Sequence, residues 1–246
     1  MPHLEFSSSP QPVEWITSRL LPIDRSAGYR VGNEVPSGYD RYLRLLHPVV
    51  QSYGGRLTTW SAVAQYTRRH LHPLAQFDRI AVTSDGDTFD GRPWPGALAD
   101  APLNALIEGL HRARATEAAC WFAYLCDGEA FGDLVDNLEV LTNRRAWDAN
   151  TERRAHFRLM EREYVLLSGP VSALQQKPNP PVFRVTPQLW WPEDQRWFVA
   201  TDQDSEFTLV GADAKIASVL VAQTGLEIYE VAWSDRIDEW GDVVNE

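Results

Sequence analysis

Cysteine is nearly absent from this chain, and so are the motifs that usually announce a chemistry. Two cysteines, Cys120 and Cys126, occur in 246 residues. That is too few for a disulfide framework or a zinc-spaced cysteine cluster, and both fall in an apolar run where cysteine acts as a small buried hydrophobe. There is no glycine-rich phosphate loop, dinucleotide fingerprint or nucleophile elbow, so no local motif assigns nucleotide binding or acyl transfer. No apolar run approaches the about 20 residues of a membrane span, and the N-terminus lacks the basic-then-apolar order of a secretory signal. A reducing cytoplasm is the expected location, with no membrane contact.

Positive charge is also scarce. Lys and Arg number 23 against 34 Asp and Glu, a formal net charge of -11, and such a field repels phosphate backbones. Arg68-Arg69-His70, Arg144-Arg145 and Arg153-Arg154 are short interruptions that read as solvated helix faces. Nucleic acid is therefore not an expected partner.

What the chain has in quantity is core-forming residues. A hydrophobic content of 44% with 23% charge is that of a folded globular protein, and the length suits one large domain. The Ser- and Pro-rich residues 1–12 are expected to form a loose tail. Residues 13–246 are expected to form a single domain whose two lobes meet near 177–182, at the Pro178-Asn179-Pro180-Pro181 break. Gly28 to Gly32 reads as a short strand, and Ser37 can cap a helix running through Tyr42, Leu43, Leu45 and Leu46 up to Pro48. Trp60, Val63 and Ala64 share one helical face, and Leu103, Leu106, Ile107 and Leu110 mark a second helix. The runs from Cys120 to Leu125 and from Arg162 to Gly169 read as buried strands, the first ending in a turn at Asp127-Gly128, and the stretch from Thr83 to Asp100 reads as a long surface loop. In the last third two strands, near 197–201 and 207–210, flank an acidic connection; a helix near 212–223 and a strand near 226–231 follow. The expected fold class is α+β, with a mixed or largely antiparallel sheet covered by helices on one side.

The densest chemistry lies between Trp190 and Phe207. Trp190 and Trp191 precede Pro192, and in an extended segment successive side chains point to opposite faces. At least one ring would then face solvent or a cleft, where tryptophan is enriched at binding hot spots; for either ring taken singly, core packing against the helix after Gly211 is the commoner fate. Glu193 and Asp194 follow directly. Asp202, Asp204 and Glu206 alternate, so on a strand they project from one face. Three carboxylates so placed suit a solvated hairpin connection, a patch for a basic partner, or a hard cation, although the Asp-x-Asp-x-Asp-Gly loop of a calcium site is missing.

Other constellations are sparser. His47, His70 and His72, with Asp85 or Asp87, are a further metal candidate; the i, i+4 histidine pair of helix-borne zinc sites is missing, so surface or capping roles are expected. Cys120 or Cys126 can be paired with His111 or His156, but no local signature activates either thiol. Asp127, Glu129, Asp202 and Asp204 are the carboxylates available for acid–base work.

The stretch Val35-Pro36-Ser37-Gly38-Tyr39-Asp40-Arg41-Tyr42-Leu43-Arg44-Leu45-Leu46-His47-Pro48, with Cys120-Trp121-Phe122, Asp127-Gly128, Tyr164-Val165-Leu166-Leu167-Ser168-Gly169-Pro170, Leu189-Trp190-Trp191-Pro192-Glu193-Asp194 and Trp197-Phe198-Val199-Ala200-Thr201-Asp202, resembles an uncharacterised group of soluble actinobacterial proteins. The resemblance covers most of the chain and implies a bacterial cytoplasmic protein. That group has no established activity, so no site residue carries over. Thr208-Leu209-Val210-Gly211 departs from it, a glycine pair being the expectation after the acidic turn. Gly32, Val35-Pro36, Tyr39 and Tyr42-Leu43 ahead of an α+β core also resemble, locally, the SUKH-type bacterial immunity proteins; a helix start with an aromatic anchor gives the same pattern.

Two functions come out of this reading. The first is a non-catalytic, immunity-type protein that engages a basic protein partner through an acidic, Trp-bearing surface made of Trp190, Trp191, Glu193, Asp194, Asp202, Asp204 and Glu206, with no cofactor and no metal. The alternative is a metal-dependent or small-molecule hydrolase whose carboxylate site lies between the Asp127-Gly128 turn and the acidic hairpin at 202–206.

Overall fold

The computed structural model describes residues 3–24, 26–126, 142, 156–159, 161–176 and 185–245. The expected turn at Asp127-Gly128, Glu129 and the lobe boundary near 177–182 lie outside the described residues. The strands are β1 (Glu5–Phe6), β2 (Arg41–Leu46), β3 (Val49–Val50), β4 (Leu57–Thr58), β5 (Arg92–Pro93), β6 (Cys120–Leu125), β7 (His156–Leu159), β8 (Arg162–Gly169), β9 (Leu189–Pro192), β10 (Trp197–Ala200), β11 (Phe207–Ala212) and β12 (Ile228–Val231). The α-helices are α1 (Glu14–Thr17), α2 (Val31–Glu34), α3 (Trp60–Thr67), α4 (Phe77–Ile80), α5 (Asp100–Arg112) and α6 (Ala214–Val221).

A nine-stranded sheet runs β1-β8-β6-β9-β10-β11-β2-β12, with β7 also paired to β8, and its pairings are antiparallel. β3, β4 and β5 make a small second sheet. The central strands are apolar at almost every position because both faces of the large sheet are covered. On one face Leu43, Phe122, Leu167, Trp190, Val199 and Val210 pack under Leu106 and Leu110 of α5 and Ile216 and Leu220 of α6. On the other, Leu46, Leu166, Trp191, Phe198 and Leu209 meet Trp60 and Val63 of α3, Phe77 of α4, and Ile16, Val35 and Ile237 from the two ends of the chain. The fold is thus α+β with an antiparallel sheet flanked by helices. α5 and α6 cover one face as expected, and α3, the short helices and irregular stretches cover the second.

Residues 41–46 form a strand where apolar spacing predicts a helix. Lying between β11 and β12, β2 puts Leu43 and Leu45 in one core and Tyr42 and Leu46 in the other, and a segment apolar on both faces imitates a helix. Gly211 of β11 sits opposite Tyr42, and a Cβ there would overlap the Tyr39 ring. The stretch from Pro36 to Tyr42 is accordingly a turn into a strand. The Tyr42 hydroxyl donates to Pro36 O at 3.3 Å, and the Tyr39 and Tyr42 rings meet edge-on. Near Gly28 the expected strand is absent; Arg30 makes only an isolated bridge to Arg236, and α2 follows.

The expected loose tail is docked from Leu4 onward. Leu4 is buried, and β1 pairs with the last part of β8, covering an edge that would otherwise be open. Among the described residues no helix is long and apolar enough to cross a membrane.

Trp190 and Trp191 are each 1% exposed. They do point to opposite faces, but each face carries a core. Trp190 meets Trp197 edge-on with ring centroids 5.2 Å apart, while Trp191 stacks on Phe198 at 5.6 Å. Of the two readings, core packing holds for both rings and neither is turned to solvent, because β9 is an interior strand. Trp190→Ala is expected to lower the unfolding free energy by about 3–5 kcal/mol in a urea titration. The same change at Trp240, 61% exposed, should stay within about 0.5 kcal/mol; equal losses at the two positions would contradict this packing.

Candidate functional site

Antiparallel pairing gathers the end of β6, the start of β8 and the connection between β10 and β11 at one end of the sheet. Two groups of polar side chains collect there, on opposite faces.

The first lines a cavity of about 900 Å³ whose walls include Tyr29, Arg44, Arg92, Tyr164, Asp202 and Glu206. Residues 201–206 do not form an extended ladder of carboxylates. Ser205 N donates to Asp202 O at 3.1 Å and Asp204 N to the Asp202 carboxylate at 2.9 Å, which closes a turn and separates the three acids. Asp202 is half-buried. Asp204 is exposed, 3.8 Å from Arg162, and Glu206 lies 3.3 Å from Arg92, which also holds Asp78 at 2.9 Å. Burial raises the Glu206 carboxyl, and Arg92 opposes that rise.

Arg44 is fully buried. Its Nη1 donates to Pro73 O at 3.0 Å and Ala75 O at 2.8 Å, and its guanidinium carbon stands 4.1 Å from the centre of the Phe207 ring. Among the described residues Nε and Nη2 have no hydrogen-bond partner. Burial pulls the guanidinium down to about 9, against the pull of Glu206, Asp242 and Glu34, so it stays charged at neutral pH. Glu34, buried nearby, is pushed up to about 8 by burial and then by Asp202, with Arg44 opposing.

The second group is Cys126, His156 and Glu163. Cys126 N donates to Glu163 O at 2.9 Å, which extends the β6–β8 ladder by one residue, and β7 pairs with the other edge of β8. Alternation turns these side chains away from the cavity: Cys126 packs against the core beneath α5 and α6, while Tyr164 belongs to the opposite core. His156 Nδ1 lies 3.8 Å from Cys126 Sγ and 3.2 Å from Glu163 Oε1. The three donor atoms are all within 4.8 Å of one another. Ligand–ligand edges around tetrahedral zinc, with bonds of about 2.0–2.3 Å, are about 3.3–3.6 Å. A thiol–imidazole–carboxylate relay would need one ring nitrogen on the thiol and the other on the carboxylate. Here Nδ1 makes both contacts, which suits chelation.

Among the pairings considered from sequence, Cys126 with His156 is the one the structure brings together. Cys120 is buried, which pushes its thiol up to about 12, and His111 Nδ1 lies 3.2 Å from the Thr116 hydroxyl. The histidine set does not assemble. His47 is held inside between Trp94 O at 2.8 Å and the Thr208 hydroxyl at 2.9 Å, and burial pulls it down to about 4. His72 pairs instead with Asp242 at 2.8 Å. The seven residues expected to share one surface are dispersed: Trp190 and Trp191 lie in the two cores, and the exposed Glu193 and Asp194 sit at the β9–β10 turn, a full strand length from Asp202, Asp204 and Glu206. Sequence reasoning missed Glu163 and Arg44. The available signal for Arg44 was a charge in mid-strand; Glu163 needs the β6–β8 register.

Comparisons with protein-family models, with curated proteins and with solved structures find no match. The resemblances drawn from sequence gain no support from them, and function rests on the geometry of the chain itself.

Because Glu34 is favoured as the neutral acid in the folded state, its contribution is present below the ordinary carboxyl value of 4.5 and is lost as pH rises through about 8. Urea midpoints should fall between about pH 5 and about pH 8.5, and fall less in Glu34→Gln. An equal fall in both proteins would assign the titration to another group.

Proposed function

We propose that the chain is a metal-dependent hydrolase in which Cys126, His156 and Glu163 hold a zinc-type divalent ion and the substrate is a small molecule. The observation that supports this reading is the convergence of a thiol, an imidazole nitrogen and a carboxylate oxygen within 4.8 Å. This mixed donor set suits zinc, or cobalt in its place, and the soft thiolate disfavours calcium and magnesium. The three donors found among the described residues would leave one tetrahedral position, which catalytic zinc sites give to water or substrate and structural sites close with a fourth ligand. An ion so held lowers the pKa of bound water and polarises a substrate oxygen.

The chain's own part is to present the donors. One backbone bond between β6 and β8 fixes Cys126 beside Glu163, and β7 carries His156 to both. The side chain of Glu163 is 57% exposed, so that side of the group is open to an incoming molecule. Metal uptake displaces the thiol proton, so binding should release protons.

Titration with Co²⁺ tests this directly. The expected result is a thiolate-to-cobalt absorption band, and stabilisation of about 2.7 kcal/mol at a free ion concentration about a hundred times Kd. Cys126→Ser and His156→Ala should lose both. Zinc-loaded protein should hydrolyse a member of a panel of activated esters and phosphoesters, and the two variants should not. A melting temperature that stays flat with Zn²⁺, Co²⁺, Mn²⁺ and Ni²⁺ would end the metal reading; metal binding without turnover of any probe would end the hydrolase reading.

A further inference from the structure

The cavity on the opposite face carries an observation that the metal group does not use. Arg44 is a charged side chain in the interior, its Nη1 is committed to two backbone carbonyls, and the edge formed by Nε and Nη2 is left without a partner. Native interiors seldom leave such donors unpaired, because each costs its full desolvation. The Pro73 and Ala75 carbonyls and the Phe207 ring fix the plane of the guanidinium, so the unpaired edge is oriented before anything binds.

That edge has a defined complement. Nε–H and an Nη2–H are parallel, coplanar donors spaced for the two oxygens of a carboxylate. The other charges of the wall largely answer one another. Arg92 holds Asp78 and Glu206, and Arg162 lies beside Asp204. Among the described residues Asp202 has no ion pair; its carboxylate accepts from Asp204 N. Arg79 gives Nη2 to Glu239 O and the Glu239 side chain is exposed at the outer wall, so the inner cavity offers one buried cation with an open edge, Arg44, and one half-buried anion outside any ion pair, Asp202, with Tyr29 and Tyr164 beside them. A dianion such as phosphate would gain Arg44 and be repelled by Asp202 and Glu206, whereas a molecule bearing both signs meets both groups favourably. At about 900 Å³ the space suits a small organic molecule.

We infer that this cavity binds a small zwitterion of the amino-acid type, its carboxylate on the Nε–Nη2 edge of Arg44 and its ammonium group at Asp202. Arg44 is covered at the cavity wall, so entry includes a side-chain shift that opens the edge. The resulting pair is then shielded from water, where a two-point charged hydrogen bond is strongest.

Isothermal titration of the full chain with the twenty common amino acids, their deaminated carboxylates, simple alkylamines and inorganic phosphate tests the assignment. At least one amino acid should bind, and its deaminated counterpart should bind at least about tenfold more weakly. Arg44→Lys, which keeps the charge and loses the fork, should weaken binding by about tenfold or more. Asp202→Asn, at the turn, should erase the preference for the amino acid over its deaminated counterpart, and it carries the test alone if the Arg44 variant does not fold. Binding should persist in Cys126→Ser, which separates this site from the metal group. The inference is overturned if no amino acid binds, if phosphate binds more tightly than every amino acid, or if folded Arg44→Lys and Asp202→Asn bind like the wild type.

Discussion

A sheet buried on both faces is the constraint on which the rest of this structure depends. Each central strand must supply two cores at once, and successive residues have no solvent face to turn to. Trp190 and Trp191 meet this demand with two large rings on consecutive residues, each locked against an aromatic partner on β10. Burying both rings removes several kcal/mol worth of apolar surface from water. The arrangement also takes these two tryptophans away from the acidic residues of the neighbouring turns.

With both faces filled, the ends of the strands are where polar chemistry can collect. At the end holding the 201–206 turn, buried hydrogen bonds tie the strands together. Thr201 and Thr208 share a bond of 2.8 Å, Thr208 meets His47, and Trp60 Nε1 donates to His47 O at 2.9 Å. Burial keeps His47 neutral at physiological pH, so it can donate with one nitrogen and accept with the other. The cavity's far wall depends on Asp242. Burial alone would raise its carboxyl, but bonds from Asn245 and His72 and from the backbone N–H groups of Asn245 and Gln76 outweigh that and hold it well below the usual carboxylate range. Asp242 thereby ties the C-terminal stretch to α4, and residues 237–240 close over the cavity.

The parts of the fold that were legible in the sequence are those whose signal is local. The helix through Trp60 begins where Thr59 accepts from Ala62 N, and the strand Arg162–Gly169 ends at a glycine with positive φ. β2 was not legible because helix periodicity and two-sided burial look alike over six residues, and what decides between them is the pairing with β11 and β12. The tryptophan pair fails for the same reason: alternation is visible in sequence, but whether the second face is covered is not. Of the Cys126–His156–Glu163 group, Cys126 and His156 were legible as one of several pairings. Glu163 enters only through the β6–β8 register, thirty-seven positions along the chain and one strand away in space.

β8 links the two faces. Glu163 turns toward Cys126 and His156 while its neighbours Arg162 and Tyr164 line the cavity, so the backbone of these three residues is common to both. A close-packed strand held by β6 on one side and β7 on the other shifts only as a unit. The overall charge then acts on the two faces differently. A chain at -11 attracts divalent cations to the exposed carboxylate of Glu163 and repels simple anions from the cavity. Arg44 is sealed from that solvent-borne field, and its pull is felt at short range, where one hydrogen-bonding edge can be matched. Selection in the cavity therefore has two stages: the outer charge turns away plain anions, and the buried guanidinium distinguishes, among what enters, a flat two-oxygen group from any other shape.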